Sequence, residues 1–327
     1  MMQSLALAAL LGTASAASWD YKTNNGEDWP DLAIAGNKCG GTNQSPIDLK
    51  TEGWPKFESS EDNFQALYTN QVGDIEPKWN GHTHQTPINK NGQNLQMFES
   101  RYPAEKWDGP TRFEGVQFHF HHPSEHSVDG KLHDLEVHTV HLPPDGAKND
   151  VKYAALGVMF SVNDADTPWD QLEEWQRQTI DRFLGSLRWD VTQGSVRVPL
   201  VPYGDFMNMV DKTERWVYKG SVTTPPCDTF VYWNVVRKVW PIRQHHLDLF
   251  KKQLARDGVD ATGNNRIIQK VDLQDPHVVY DSKAVSNNQK EDSQRSTLLV
   301  LVIELAITLL MLVGFAIAFA HKNASKK

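Results

Sequence analysis

The sequence of 327 residues predicts a mainly β, mostly antiparallel domain with a few helices, followed by one transmembrane helix near the C terminus. Segments rich in β-branched and aromatic residues outnumber amphipathic helical segments, and such segments are typical of strands. No internal repeat or low-complexity linker divides residues 18–280, and all-β domains often reach this length as one unit. Eleven tryptophans supply ample apolar surface for a sizeable core.

The predicted strands are 115–121, 135–141, 153–162, 196–201 and 230–239. Two helices interrupt them. The first has Thr167 as its N-cap and Pro168 at the first helical position, where proline is well tolerated. Its apolar stripe consists of Trp169, Leu172, Ile180, Phe183 and Leu187. The second begins near Pro241 and ends by Gly258. Its inward residues are Leu247, Phe250 and Leu254.

The first seventeen residues, MMQSLALAALLGTASAA, predict a signal peptide (1–17). An apolar centre from Leu5 to Leu11 is followed by small residues at 14–17, which suit cleavage by signal peptidase. No basic residue precedes the apolar centre, which is a departure from the usual pattern. A buried first helix is the alternative, but the run is short and ends in small residues. The domain at 18–280 is therefore expected to enter an oxidising compartment.

The composition changes twice after the folded domain. Residues 281–296 are polar and without periodicity, which predicts a flexible stalk. Residues 297–320 are apolar apart from Glu304 and are long enough to cross a bilayer as a transmembrane helix. The basic tail, 321–327, fits the cytoplasmic side, so we expect a single-pass type I protein at the plasma membrane, with its folded domain extracellular or lumenal. A GPI anchor in place of the apolar segment is the alternative, although such signals normally lack a basic tail.

The net charge and the cysteine content indicate which kinds of partner and which cellular compartment to expect. The formal net charge of −8, without a basic cluster in the folded domain, argues against nucleic acid as a partner. Cys39 and Cys227 are the two cysteines of the chain. An even count in a secreted protein favours a disulfide, and two unpaired buried cysteines are the alternative.

A histidine pattern predicts the functional site. Successive side chains of a strand point to opposite faces, so His119 and His121 project to the same side. Phe118 and Phe120 then face the other side, where an apolar core accommodates them. A neighbouring strand that carries His138 would bring three imidazoles together. Three nitrogen ligands with a fourth position open are typical of a catalytic zinc site.

Two polar residues strengthen the metal interpretation. Gln117 lies two residues before His119, and Glu136 lies two residues before His138, so each pair shares a strand face. Each polar side chain can accept the second ring N–H of a ligating imidazole. Without such partners, an isolated His-x-His sequence more often indicates hydrogen-bonded core or surface histidines.

Several further motifs occur along the chain: QSPI at 44–47, NGH at 80–82, FHFH at 118–121, SEH at 124–126, EVHTVH at 136–141 and SVTTPP at 221–226. In this order and approximate spacing the chain resembles the α-class carbonic anhydrases, from about Trp19 to about Lys270. The resemblance sharpens the expected fold to a large twisted central sheet with peripheral helices. It implies a zinc cofactor and the reversible hydration of carbon dioxide to bicarbonate and a proton, by zinc-hydroxide attack with a histidine proton shuttle.

The resemblance also implies roles for single residues. His82 matches the proton shuttle, and an unperturbed imidazole pKa of about 6.5 suits that task. His84 is expected on the same strand face, where assistance to the shuttle is one role and a solvated surface histidine is the favoured alternative. Thr223 matches the threonine that accepts a hydrogen bond from the zinc hydroxide, and Glu125 matches the carboxylate that accepts the threonine's proton. Thr224 matches the cavity mouth. The residues that match the substrate pocket are Val140, Ala155, Val222, Val231 and Trp233.

The resemblance implies one cross-link and shows two departures. A Cys39–Cys227 disulfide would tie the N-terminal segment to the loop at 223–226. His122 stands where many family members carry tryptophan, beside the ligand strand. Ala155 stands where a valine commonly forms the pocket floor, which would widen the pocket.

Two other functions compete with the enzyme. A non-enzymatic cell-surface binding module is the first, because some relatives have lost zinc ligands. The intact histidine set, Thr223 and Glu125 favour the enzyme. A role in mineral deposition is the second, but no long acidic or glycine-rich insert supports it. The predicted partners are therefore a small-molecule substrate and, through the C-terminal helix, a membrane.

Overall fold

The computed structural model describes residues 19–59, 64–89, 97–100, 112–144, 152–191, 196–256, 259, 263–272 and 274–281. The predicted signal peptide, stalk, transmembrane helix and basic tail lie outside these residues. Within them, no helix is both long enough and apolar enough to cross a membrane. The described residues through Tyr280 belong to one compact unit.

Seventeen strands and three α-helices are assigned within the described residues. Strands β1 to β9 are Asp48–Leu49, Lys56–Ser59, Phe64–Leu67, Gln71–Ile75, Lys78–Trp79, His84–Pro87, Met97–Ser100, Arg112–His121 and Ser127–Val128. Strands β10 to β17 are Lys131–Leu132, Leu135–Leu142, Tyr153–Ser161, Val198–Val201, Glu214–Ser221, Thr229–Val236, Trp240–Pro241 and His277–Asp281. The helices are α1 (Glu174–Ser186), α2 (Tyr203–Met209) and α3 (Gln244–Arg256), and 3₁₀ turns occur at Trp29–Asp31 and Trp169–Gln171.

Most strands join one twelve-stranded sheet, whose main path is β2-β17-β14-β15-β12-β11-β8-β6-β5. Its central pairs β8–β11, β11–β12 and β14–β15 are antiparallel, whereas β15 and β16 both run parallel to β12. A three-stranded sheet, β1-β9-β10, and a two-stranded sheet, β13-β4, complete the described strands. The predicted mainly β fold with few helices is confirmed, and its large sheet is mixed.

The central sheet separates two packed faces because its side chains alternate. Phe118 and Phe120 of β8 are fully buried on one face, as predicted. There the ring of Phe120 lies 6.2 Å from Phe183 of α1 and 6.1 Å from Phe250 of α3, measured between centroids. The opposite face carries the histidines of β8 and a smaller apolar cluster around Trp233. The helices therefore cover the face opposite the predicted site.

The first predicted helix begins later than its sequence pattern indicated. Trp169–Gln171 form only a 3₁₀ turn, and Leu172 after it is extended, with ψ of 150°. The α-helix begins after Glu173, whose backbone N–H donates to the side chain of Gln176 over 3.0 Å in a capping box. Thr167 is therefore not the N-cap, because the extended Leu172 separates the turn from the α-helix.

Other element boundaries also shift. Helix α3 begins at Gln244 because Trp240 and Pro241 pair with β12 instead. The predicted strand at 196–201 begins only at Val198, and the predicted strand at 230–239 corresponds to β15, which ends at Val236. Helix α2 was not predicted, because seven residues are too few to show a helical period.

Two histidines buried in the core predict a loss of stability in acid. His84 is 2% exposed, its ring centroid is 5.1 Å from that of Trp79, and burial lowers its pKa to about 3. His141 is fully buried, and burial lowers its pKa to about 4. In the unfolded chain both rings have a pKa of about 6.5. Their contribution to stability is therefore complete above that value and is lost as the pH falls toward the folded-state pKa values.

Between pH 6 and pH 5 we expect each of these histidines to lower the free energy of unfolding by about 1 kcal/mol. Urea unfolding at the two pH values measures the loss. The variant His84→Phe should lose about 1 kcal/mol less than the wild type over this interval, because phenylalanine does not titrate. An equal pH-dependent loss in the two proteins would contradict the assignment.

Candidate metal centre

Three histidines converge on the face of the central sheet opposite the helices. His119 and His121 lie on β8, and His138 lies on β11, where it pairs directly with His119. One ring nitrogen of each histidine lies within 4.8 Å of one ring nitrogen of the other two. The structure therefore places the three predicted ligands together.

The second ring nitrogen of two of these histidines is held by the residue two positions earlier. Nδ1 of His119 donates to Oε1 of Gln117 over 2.9 Å, and Nε2 of His138 donates to Oε1 of Glu136 over 2.8 Å. Gln117 and Glu136 thus occupy the positions predicted for them. Each bond orients the ring and occupies one ring nitrogen, so the other ring nitrogen is left for a metal ion.

His121 is held by a residue that the sequence analysis missed. Its Nδ1 donates to the main-chain oxygen of Asn264 over 2.8 Å, and its Nε2 is buried without a hydrogen-bond partner among the described residues. Burial lowers the pKa of both His119 and His121, so their rings are neutral at neutral pH. A buried neutral imidazole with an unpartnered nitrogen fits a metal ligand. With one ring nitrogen each from His119 and His138, it would complete the three-nitrogen set that suits Zn²⁺ with one position open.

Glu136 is the centre of a buried hydrogen-bond network. Its Oε1 accepts from His126 and His138, each over 2.8 Å, and its Oε2 accepts the backbone N–H groups of Glu125 and His126, each over 2.9 Å. Burial opposes ionisation of this carboxyl, but the two histidines outweigh it and hold the pKa of Glu136 well below its usual range. Burial likewise opposes protonation of His138, but Glu136 outweighs it and raises the pKa. A Cβ at Gly157 would lie 2.8 Å from Oε1, so glycine leaves room for the carboxylate.

The network continues from His126 toward the N-terminal segment. Nε2 of His126 lies 2.7 Å from the hydroxyl of Tyr218, which donates to Oγ of Ser45 over 2.9 Å. Ser45 and Ser221 bond reciprocally, each backbone N–H donating to the other's hydroxyl, over 2.9 and 3.0 Å. These bonds link the metal-site strand β11 to the end of β14, after which Thr223 follows.

Thr223 and Glu125 are both close to fully buried, at 4% and 0% exposure. Oε1 of Glu125 accepts the backbone N–H of Arg266 over 3.0 Å, whereas Oε2 has no hydrogen-bond partner among the described residues. The expected hydrogen bond from Thr223 to Glu125 is therefore not formed in this structure. Oε2 lies 3.7 Å from Nδ1 of His138, so an unused acceptor borders the histidine cluster.

The predicted pocket residues form a row across the sheet beside the histidines. Val140 of β11 pairs with Ala155 of β12, which pairs in turn with Trp233 of β15. The ring centroid of Trp233 is 4.8 Å from that of His138. The remaining pocket residues, which are buried or half-buried, are Val222, Thr224 and Val231. An apolar wall thus adjoins the candidate centre.

His82 lies beside aromatic residues of the N-terminal segment. It is half-buried, and its ring stacks on Trp19 with 3.8 Å between centroids and 12° between planes. Burial lowers its pKa from the usual value. The expectation that His84 is a solvated surface residue is wrong. Strand β6 begins at His84, and the next residue, Gln85, pairs with His119, so alternation turns His84 into the aromatic core.

The sequence analysis also missed the segment 263–267. Arg266 is 1% exposed, and its guanidinium donates to Oε1 of Gln44 and to the main-chain oxygens of Ser45 and Cys39, over 2.8, 2.8 and 2.9 Å. The local pattern Gly-Asn-Asn-Arg is typical of a surface turn. The contacts of Arg266 with distant parts of the chain are what identify the segment as a buried clamp. No local sequence signal distinguishes this segment from an exposed turn.

Cys39 and Cys227 form the predicted disulfide, with an S–S distance of 2.08 Å. Both residues are buried. Beside the bridge, the backbone N–H of Lys38 donates to the main-chain oxygen of Pro226 over 2.9 Å. The N-terminal segment is thereby fixed to the loop that begins at Thr223.

Comparison with known proteins assigns the family. The chain belongs to the eukaryotic-type carbonic anhydrase family, whose sequence pattern matches residues 24–281. Alpha carbonic anhydrase 4 of Arabidopsis thaliana is 26% identical over 259 residues, which cover 77% of this chain and 81% of that protein. Dioscorin dioA3 of Dioscorea japonica is 26% identical over 238 residues, which cover 72% of this chain and 77% of that protein. The α-carbonic anhydrase of Thermovibrio ammonificans, solved with the inhibitor sulfanilamide, is 25% identical with a TM-score of 0.59 and covers 81% of this chain and 100% of that one.

Removal of the disulfide should destabilise the folded domain. The bridge spans 188 residues of sequence, and opening so long a loop in the unfolded chain costs about 3–5 kcal/mol of stability. We expect this loss in the double variant Cys39→Ser/Cys227→Ser, measured by equilibrium urea unfolding. The wild type treated with reductant is the matched control and should unfold at the same urea concentration as the double variant. If the untreated wild type, with its disulfide intact, also unfolds at that concentration, the disulfide does not stabilise the domain.

Proposed function

We propose that this protein catalyses the reversible hydration of carbon dioxide to bicarbonate and a proton, with Zn²⁺ as its cofactor. The observation that carries the proposal is the convergence of His119, His121 and His138. Each ring has one nitrogen bonded to an acceptor and the other free to bind a metal ion. Three neutral nitrogen ligands with an open position are the set that catalytic zinc sites use.

Zinc supplies the nucleophile when it is bound, because it lowers the pKa of a coordinated water to about 7, the value known for carbonic anhydrase itself. The residues of the chain prepare the ligands for this task. Gln117, Glu136 and the main-chain oxygen of Asn264 each accept a ring N–H. Such outer partners fix ring orientation and raise the basicity of the ligating nitrogens.

The groups beside the histidines suit a small apolar substrate. Val140, Ala155 and Trp233 form an apolar wall that excludes water and would accommodate carbon dioxide. Thr223 would accept a hydrogen bond from the reacting oxygen and donate its own proton to Glu125. The open acceptor Oε2 of Glu125 supports this role, since a buried carboxylate oxygen without a donor is available to the threonine hydroxyl.

His82 would carry the released proton toward buffer. Its half-buried ring retains contact with solvent, and its stacking on Trp19 holds it beside the N-terminal segment. Burial lowers its pKa from the usual value, and imidazole is the side chain that most often serves as a proton carrier. The proton-transfer step is therefore assigned to His82.

We also place the protein in the secretory pathway, with its folded domain outside the cytoplasm and residues 297–320 as the membrane anchor. The signal-like residues 1–17 and the apolar span followed by basic residues support this location. The disulfide agrees with an oxidising compartment. Release from cells by a phospholipase that cuts GPI anchors would instead identify the alternative anchor.

Binding without catalysis is the competing function. One relative of this chain is a dioscorin, so similarity within the family does not by itself establish catalysis. The complete histidine set with its outer acceptors favours the enzyme. Zinc analysis and a stopped-flow assay of carbon dioxide hydration distinguish the two, because a binding module would show no hydration above the buffer.

The variant His138→Ala should lose both tight zinc binding and hydration activity, since it removes one of three protein ligands. Zinc content after dialysis and the stopped-flow rate measure the two losses. His133→Ala, which changes a buried histidine outside the cluster, is the matched control and should retain both properties. Stoichiometric zinc and full activity in His138→Ala would show that the ligand assignment is wrong.

The variant His82→Ala should lower kcat at low buffer concentration and largely spare kcat/KM. The reason is that proton transfer follows the capture and conversion of substrate and therefore limits only turnover. Rates measured at increasing imidazole concentration test this, because added imidazole should replace the missing ring. Failure of imidazole to restore any rate would count against the shuttle.

A further inference from the structure

Asn264 is a fully buried residue that contacts two parts of the candidate site. Its side-chain Nδ2 donates to the main-chain oxygens of His82 and Phe120, each over 3.0 Å, and its Oδ1 accepts the backbone N–H of His122 over 2.8 Å. Its main-chain oxygen is the acceptor for Nδ1 of His121. One amide side chain therefore joins the loop of His82 to the strand that carries the metal ligands.

This amide lies where strand β6 separates from β8. Gln85 pairs with His119, but before that pair the chain turns away, and the main-chain oxygen of Phe120 accepts side-chain donors instead of a strand N–H from β6. Its donors are the hydroxyl of Thr83 and Nδ2 of Asn264. A buried carbonyl without a donor costs about 1–3 kcal/mol. Asn264 thus substitutes for the end of the strand ladder.

The loop itself is closed by a second asparagine. Oδ1 of Asn80 accepts the backbone N–H groups of His82 and Thr83, over 3.0 and 2.9 Å. This local turn keeps its own shape, and before β6 begins it is joined to β8 through the Thr83 hydroxyl, which bonds the main chain of Phe120, and through the Asn264 amide. The ring of His82 also stacks on Trp19, but these two attachments are the side-chain contacts that join its loop to the strand of the metal ligands.

We infer that Asn264 is a positioning residue for proton transfer, whose side chain holds the backbone of His82 at a fixed place relative to His121. This inference rests on the proposed function, in which His82 carries the proton. The side chain is not required to hold the metal ligand, because the acceptor for His121 is the main-chain oxygen, which every residue supplies. Loss of the side chain should therefore separate proton transfer from metal binding.

The residue after β8, His122, is also bonded to Asn264. The ring of His122 is held by its own bond, from Nδ1 to the main-chain oxygen of Asp134 over 2.7 Å. Its backbone N–H donates to Oδ1 of Asn264, and its main-chain oxygen accepts the backbone N–H of Asn264 over 2.9 Å. The ligand strand therefore ends in a fixed position, and the side chain of Asn264 transmits that position to the loop.

The test is the variant Asn264→Ala, assayed with zinc at low buffer concentration. We expect kcat to fall by about 3- to 10-fold, since a displaced proton carrier transfers less efficiently. The value of kcat/KM and the rate of zinc loss to a chelator should stay within about twofold of the wild type, because the main-chain acceptor remains. Added imidazole should restore kcat. In a His82→Ala background the same substitution should have no further effect on kcat.

Asn265→Ala is the matched control, because this neighbouring buried amide contacts Asn25 and not the loop of His82. In the metal-free protein, the amides of His82 and Thr83 should exchange with deuterium faster in Asn264→Ala than in the control. This measurement tests the attachment without any assay of hydration. If the wild type does not hydrate carbon dioxide, the proposed function is wrong, and the exchange result alone decides whether the attachment exists.

Asn264→Asp provides a second variant if the alanine variant does not fold. It keeps the shape and the acceptor for His122 but places an oxygen against the two main-chain oxygens of His82 and Phe120. The same pattern of kcat and kcat/KM is expected. Equal falls in kcat and kcat/KM with faster zinc loss, an effect that persists without His82, or unchanged exchange and kcat in both variants would overturn the inference.

Discussion

The buried carboxylate of Glu136 is the interaction on which the candidate site depends. An ionised group inside a sheet is stable only when its charge and its hydrogen-bonding capacity are both satisfied. Here four N–H donors surround it, from the rings of His126 and His138 and from two backbone groups. Removal of one partner of such a buried pair costs about 3–5 kcal/mol. The absence of a side chain at Gly157 is what allows the carboxylate to lie against β12.

The alternation of β8 connects the site to the core. Phe118 and Phe120 are fixed among aromatic rings on the helical face, and Phe118 stacks on Tyr203 with 4.4 Å between centroids and 4° between planes. His119 and His121 project from the same strand to the other face. Because dense packing on one face holds the backbone, it also fixes the strand from which the histidines project. This is the physical basis for a preorganised centre.

The outer partners of the three histidines differ in how far they lie along the chain. Gln117 and Glu136 are each two residues from the ring they hold, so strand geometry alone predicts both contacts. Asn264 comes from a distant segment and could not be recognised in the same way. The same distinction applies to the helices. Helix α1 was recognised from the helical spacing of its apolar residues. Its predicted start was wrong, because the capping box at Glu173 lies after an extended residue.

The mainly β class, the shared face of the histidines and the outer roles of Gln117 and Glu136 could all be predicted from the amino-acid sequence. These features follow from the period of two in a strand and from contacts between near neighbours. The folded structure was needed to show that Asn264 and Arg266 are buried polar clamps and that His84 points into the aromatic core. The burial and hydrogen bonding of these residues depend on the register between strands and on segments far away in the chain, and no local pattern of residues specifies either.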